Sequence, residues 1–395
     1  MKSFGKLSVK GSSHFEEKMT LVLSDISSEI KETIDANLYK CILLIGGYGR
    51  GEGGVVTIKN VEFPHNNLDF LVVCKSLSKI KEQMLQKSIN EIMVKHCKKV
   101  NIDFDLSIIT EMKLKTCNPL VITYDMKYGH KVINGDFSFF TSMSRFDLEN
   151  IPDSDIRNLM VNRGTLLTIN DLILAKKHHT MKDIRTVIKH CIKAIIGYGD
   201  ALLYYYGDYH YSYVEKKIRM KKQNKVDENF KKMYDDAMSF RFEPNYEKYL
   251  GSDLIAFQKE VKDTLKVVHL KCEALSLRDK NIKWHSYFEA ALDNSFSQNL
   301  SLKVILKNTR NLLLPNHFIK NLSLKNKLRA KMLGARGILP LLFPYIAFEM
   351  NHENEEILNS FFNITSTNNT IRKQQYLSYW GKYVNNNFNL KEYGL

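Results

Sequence analysis

The stretch that most limits what this chain can become is Ile45-Gly46-Gly47-Tyr48-Gly49-Arg50-Gly51-Glu52, together with Asn66-Asn67-Leu68-Asp69-Phe70 after it. The apolar run Cys41 to Ile45 reads as a strand that ends in two glycines. Glycines at such a point let the backbone turn sharply and bring N–H groups up to a ligand with no Cβ in the way. A helix starting there adds the partial positive charge of its N-terminus, which suits a triphosphate, and puts Arg50 and Glu52 in its first turn. A second apolar strand then carries Asp69 into the same neighbourhood. Alternate strand positions share a face, so positions 67 and 69 form a pair of the kind that metal-dependent phosphoryl chemistry uses, although only Asp69 is acidic.

The run from Gly46 to Glu52, followed by Leu68-Asp69-Phe70-Leu71-Val72-Val73, resembles the core of the nucleotidyltransferase superfamily that includes DNA polymerase β and kanamycin nucleotidyltransferase. Its wording is closest to the uridylyltransferases that modify nitrogen-signalling proteins. The similarity spans roughly the first 110 to 150 residues, with strand, turn and acidic strand in the required order. It implies three acids holding two Mg²⁺ or Mn²⁺ ions, an NTP as substrate and attack of a hydroxyl at the α-phosphorus with loss of pyrophosphate. Carried onto this sequence, Asp69 and Asp105 are the principal metal ligands, with Asp103 as the alternative third acid, and Asn67 stands where the first acid would be. Gly46, Gly47, Arg50 and Glu52 are the nucleotide-binding candidates. The loop between the glycines and Asp69 is longer than the family's, and Asn67 is a neutral ligand that cannot act as a base. Glu52 and Glu62 are the acids near enough in sequence to stand in for it. The implied activity is transfer of an NMP to a hydroxyl on a protein, RNA or small molecule by an enzyme with a degenerate acidic triad. The alternative is a silent nucleotidyltransferase fold that binds nucleotide, RNA or a protein partner.

The expected class is α+β: a nucleotidyltransferase-like mixed sheet with flanking helices at 1–150, a helical domain at 151–300 and a helical C-terminal region at 301–395. With 395 residues and 44% hydrophobic content the chain can build more than one core. A net charge of +15 attracts polyanions, although a Lys-, Asn- and Ile-rich composition accounts for it without a ligand. The six scattered cysteines fit buried free thiols in a reducing cytoplasm. The longest apolar stretch, Ile338 to Phe348, carries two prolines and is too short to span a bilayer, so no membrane role is indicated.

Along the chain, Ser13 to Asp35 reads as a helix with a Ser13/Glu16 capping box, and Leu38 to Ile45 as the first strand. Val55 to Ile58 and Val61 to Phe63 suggest an inserted hairpin. Asp69 to Cys74 forms a strand and Leu77 to Lys98 an amphipathic helix. The strand 101–109 puts Asp103 and Asp105 on one face. Leu120 to Tyr124 and Lys131 to Ile133 read as further strands, the latter closed by an Asn134-Gly135 turn. A helix opens at Pro152-Asp153-Ser154, and helical periodicity dominates from there, with breaks at Pro315 and 334–337.

Arg185 and His190 have the Arg-x4-His spacing of the RNA-cleaving motif in HEPN-type helical domains, against a solvated helix face. His178-His179 lack an acidic or cysteine partner at metal-ligand spacing. Tyr204, Tyr205, Tyr206, Tyr209, Tyr211 and Tyr213 precede the basic run 216–222. Such a pairing either stacks on bases and neutralises phosphates or packs its tyrosines internally and leaves its lysines in water.

Overall fold

The computed structural model describes residues 3–297, 302–313, 319, 322–350, 354–364 and 368–395. The expected break at Pro315 lies outside them. Two compact units divide the chain: residues 1–152 with 208–245, and residues 153–207 with 246–395.

The first unit opens with α1 (Ser13–Thr33), capped by Ser12, whose hydroxyl accepts from the Phe15 N–H. The cap is thus Ser12, and the expected Ser13/Glu16 box does not form. Glu16 instead accepts from the Leu7 and Ser8 N–H groups at 2.7 and 2.8 Å, tying the preceding segment to the helix. Strand β1 (Tyr39–Ile45) runs into α2 (Gly46–Gly49), a single turn. Strands β2 (Gly54–Ile58) and β3 (Val61–His65) form the inserted hairpin. β4 (Leu68–Cys74), α3 (Lys79–Cys97) and β5 (Phe104–Thr110) follow as a crossover that makes β4 and β5 parallel. Then come α4 (Glu111–Thr116), α5 (Val121–Tyr128), β6 (Lys131–Gly135) and the short α6 (Ser138–Thr141).

The sheet order is β5-β4-β1-β6, with β1 antiparallel to both β4 and β6. Because strand side chains alternate, β1 and β4 bury both faces. Ile42, Leu44, Phe70 and Val72 meet Leu23, Ile26, Ile89 and Met93 of α1 and α3. Cys41, Leu43, Leu71 and Val73 meet Leu114, Met126, Phe140 and Phe146 on the other side.

Two local expectations are overturned here. Leu120 to Tyr124 is the start of α5, not a strand: the Leu120 N–H donates to Thr123 Oγ1 at 2.8 Å, which bonds back to the Leu120 carbonyl. These local bonds close the first helical turn, and the helix packs Tyr124 and Met126 inward. Asn134-Gly135 belongs to β6 and pairs with Ile42 and Cys41, so it is not a hairpin turn.

After α7 (Asp153–Leu174) and α8 (Met181–Tyr205), which belong to the second unit, the chain returns to the first as α9 (Tyr213–Lys222) and α10 (Glu228–Phe242). The second unit resumes with α11 (Leu254–Leu277), α12 (Trp284–Ser297), α13 (Leu302–Leu313), α14 (Leu324–Ala347), α15 (Glu355–Phe362) and α16 (Asn369–Tyr383). Among the described residues this unit has only helices. Gly334, at φ 66°, interrupts α14 where a break was expected. The close approach of α7 and α14 depends on Gly164, where a Cβ would stand 2.3 Å from the Phe343 ring.

The two compact units do not coincide with the expected divisions at 150 and 300. The first division lies at Pro152, but residues 208–245 return to the sheet-bearing unit and no division falls at 300. The return is fixed by contacts far apart in sequence, such as the Tyr209 hydroxyl donating to Asp125 at 3.0 Å. The overall description α+β holds, with a mixed four-stranded sheet in the N-terminal part and helices in the C-terminal region.

Candidate functional site

Gly46 has φ 68°, a conformation that costs a residue with a Cβ roughly 1–2 kcal/mol. A Cβ there would lie 2.0 Å from Asp69 Oδ2, so only glycine lets the turn rest on that carboxylate. Sequence and register agree on the reason. Asp69, the second residue of β4, lies opposite Ile45, the last residue before the turn, and on its other side faces Asp105 across the parallel β4–β5 ladder. Asp69 is half-buried and Asp105 exposed on the edge strand.

Asn67 joins them. Its Nδ2 donates to Asp69 Oδ1 at 3.0 Å and also to Asp105 Oδ2. The three residues expected at the centre of the site are thus in one cluster, and the amide's partial positive charge sits between two carboxylates that would otherwise repel. Asp103 stands apart: it is exposed, and its main-chain carbonyl accepts from the Leu68 N–H at 2.9 Å, which fixes the start of β4. Between the two alternatives for the third acid, the structure brings Asp105 to Asn67. Among the described residues no group of three or more His, Cys, Asp and Glu is placed to hold a metal ion. Two carboxylates on neighbouring strands still suit one Mg²⁺, an ion commonly held by one or two carboxylates plus water and substrate phosphates.

Neither proposed substitute acid reaches the cluster. Glu62 accepts from the Ser12 N–H at 3.1 Å, and from its hydroxyl, at the start of α1. Glu52 is buried and accepts from Ser212 Oγ at 2.5 Å and from the Tyr213 and Val214 N–H groups at 2.7 and 3.2 Å. Its charge serves the unsatisfied first turn of α9. The α2 turn closes at Gly49, so Arg50 and Glu52 lie beyond it and not in its first turn.

Arg50 is likewise engaged inside the unit. Its Nη1 lies 3.4 Å from Asp125 Oδ2, its Nε 3.9 Å from Glu52, and its guanidinium 4.5 Å from the centre of the Tyr213 ring. Burial opposes its charge, but Tyr213, Asp125 and Glu52 outweigh burial and hold its pKa above the ordinary arginine value. The positions of Arg50 and Glu52 give them a structural role, binding α9 to the glycine turn.

Sequence reasoning missed Arg241. It projects from α10 to the same turn: its Nη2 lies 3.1 Å from where a Cβ on Gly47 would be, and its guanidinium stacks 3.9 Å from the Tyr213 centroid. Lys216 Nζ lies 4.2 Å from that ring as well, so three cations surround Tyr213. Arg50 has two carboxylate neighbours, whereas Arg241 pairs with no carboxylate among the described residues, and its buried Nε has no hydrogen-bond partner. Nothing local in the sequence marks an arginine near the end of an amphipathic helix as part of a turn almost 200 residues earlier.

The remaining candidates separate. His190 is buried, bonded through Nδ1 to Asn170 Oδ1 at 2.7 Å, and burial pulls its pKa down to about 3. Arg185 stacks on Tyr246 at 5.5 Å. A histidine closed off from solvent cannot meet an RNA backbone, so the RNA-cleaving reading of this pair is set aside. His178 and His179 are exposed. Tyr209 and Lys216 are buried, so these two members of the aromatic-basic run are internal packing, while Tyr211 stacks with the exposed Tyr128. All six cysteines are free, five of them buried.

Comparison with known proteins finds no family model, no curated protein and no solved structure that matches the chain.

Proposed function

We propose that the sheet-bearing unit binds an NTP and transfers its NMP to a hydroxyl on a protein, RNA or small molecule, in a reducing cytoplasm. The observation that carries this reading is the contact of Gly46 with Asp69, with Asp105 in register beside it and Arg241 over Gly47. A bound Mg²⁺ or Mn²⁺ would be held by Asp69 and Asp105 and would supply charge neutralisation at the phosphates. The glycine turn admits the triphosphate close to Asp69. Arg241 offers a guanidinium, with its planar donors, to the phosphate oxygens. The acceptor hydroxyl oxygen forms the new bond at the α-phosphorus, its proton passing to solvent, as the bond to the bridging oxygen breaks and pyrophosphate leaves. The chain's contribution is positioning and electrostatics, which dominate phosphoryl transfer.

One observation favours the second reading, a nucleotide-, RNA- or protein-binding module without turnover. Asn67 donates to both carboxylates where the family's chemistry uses an acid. Incubation with each α-labelled NTP and Mg²⁺ or Mn²⁺ separates the two. Label transfer by the wild type that disappears in Asp69→Ala supports the enzyme. A silent wild type with an active Asn67→Asp variant supports a site that binds and has lost its reaction. Absence of any nucleotide binding removes both nucleotide readings.

A further inference from the structure

Between Asn294 and Phe348 the chain contains no aspartate or glutamate and nine lysines and arginines. In the described residues this stretch folds mainly into α13 and α14, which pack where Asn311 Nδ2 donates to the Met332 carbonyl at 2.7 Å and Gly334 comes up against Asn311. Helical spacing puts Val304, Asn308 and Asn311 on the packed side of α13. Its other side shows Ile305 at 45% and Leu306 at 66% exposure beside exposed Lys307 and Arg310. α14 shows Leu324 at 85% and Leu328 at 53% beside exposed Lys325 in its first turns, with exposed Arg336 beyond the Gly334 interruption.

Most of these cations have no ion pair among the described residues. Arg329 is paired with Asp293, but Lys307, Arg310, Lys325 and Arg336 pair with no carboxylate among the described residues. Lys307 has its pKa lowered, first by burial and then by the like charge of Arg336 from the facing helix.

We propose that the outward faces of α13 and α14 dock the protein on an anionic lipid bilayer surface, with the leucines entering the interface and the cations meeting the headgroups. Both halves of the pattern argue for that partner. Leucines that protrude this far do not wall a groove, so they suit a soft partner that closes around them. Clustered lysines and arginines at a bilayer surface gain about 1 kcal/mol each from anionic lipid, or about fivefold in partitioning. A nucleic acid would satisfy the cations and leave the leucines in water. A second copy of the chain would bring like charges together. No helix among the described residues is long and apolar enough to cross a membrane, and a helix pair lying on the surface needs none.

The test is flotation of the full chain with phosphatidylcholine vesicles, with and without phosphatidylserine, over a salt series. Co-flotation is expected only with phosphatidylserine, weakening as salt rises. Leu306→Ser or Leu324→Ser should weaken partitioning about tenfold, the effect of withdrawing one buried leucine. The pair Lys307→Gln and Arg310→Gln should weaken it to a similar degree or more. All four positions are exposed, so unchanged melting checks that each variant is folded. Failure to float with phosphatidylserine at low salt overturns the proposal. So does flotation that ignores the leucine substitutions, or salt-sensitive RNA binding through these cations by a protein that leaves vesicles alone.

Discussion

Replacing Asn67 by aspartate tests the physical logic of the carboxylate cluster without requiring knowledge of the acceptor. In the wild type one amide donates to Asp69 and to Asp105. A hydrogen bond to a charged group contributes about 1.5–3 kcal/mol, and the exposure of Asp105 puts these two at the low end or below. Their loss, with a third carboxylate added beside two others, should lower stability by about 2–4 kcal/mol at neutral pH in a chelator. For the sheet-bearing unit that is a fall in melting temperature of about 6–12 °C. A divalent ion should reverse it. At a hundredfold excess over its dissociation constant a ligand returns about 2.7 kcal/mol, so Mg²⁺ should bring the variant back toward the wild type and stabilise it more than it stabilises the wild type. Calorimetry with and without Mg²⁺ makes the measurement. A variant that melts with the wild type in chelator, or an equal effect of Mg²⁺ on both, would refute the argument that Asn67 occupies a cation's place.

Arg241→Met should weaken NTP binding at least tenfold by equilibrium titration, with Arg241→Lys recovering only part because a lysine cannot offer the planar fork; unchanged affinity would remove Arg241 from the site. In the second unit, Arg157 makes two 2.7 Å hydrogen bonds to Glu273, both residues being buried. Arg157→Met should therefore cost about 3–5 kcal/mol in chemical denaturation, while Arg157→Met with Glu273→Leu should cost much less, since no unpaired charge is left inside. His190 gives a pH dependence. Its folded pKa of about 3 lies below the unfolded value, so the unfolded state binds the proton first. Its contribution is at full strength above about pH 6.5 and is lost progressively as pH falls from there toward 3, by a few kcal/mol. Denaturation across that range should show a slope that His190→Gln flattens.

The burial of Glu52 and Arg50 shows how residues beside a turn can be taken up by packing. Both were expected to face a nucleotide because they follow the glycines. In the fold they meet α9 and Asp125, and the cation left beside the turn is Arg241. The same residues that mark the turn as a landmark are needed to attach the returning helices to it.

The sequence by itself determined what short-range physics controls. The apolar alternation of β1 and β4, the glycine turn between them, the inserted hairpin and the helical periodicity beyond residue 152 were all legible, because each rests on neighbours a few residues apart. Asp69 and Asp105 were legible as candidates for the same reason. Tertiary structure decided the rest. It made Leu120 to Tyr124 the start of a helix, returned residues 208–245 to the sheet-bearing unit, and set Asp105 rather than Asp103 against the Asn67 amide. It also put the Asn67 amide between two carboxylates and brought Arg241 to Gly47. These outcomes depend on which surfaces meet after long loops close, and residues far apart in the chain carry no local pattern that records their meeting.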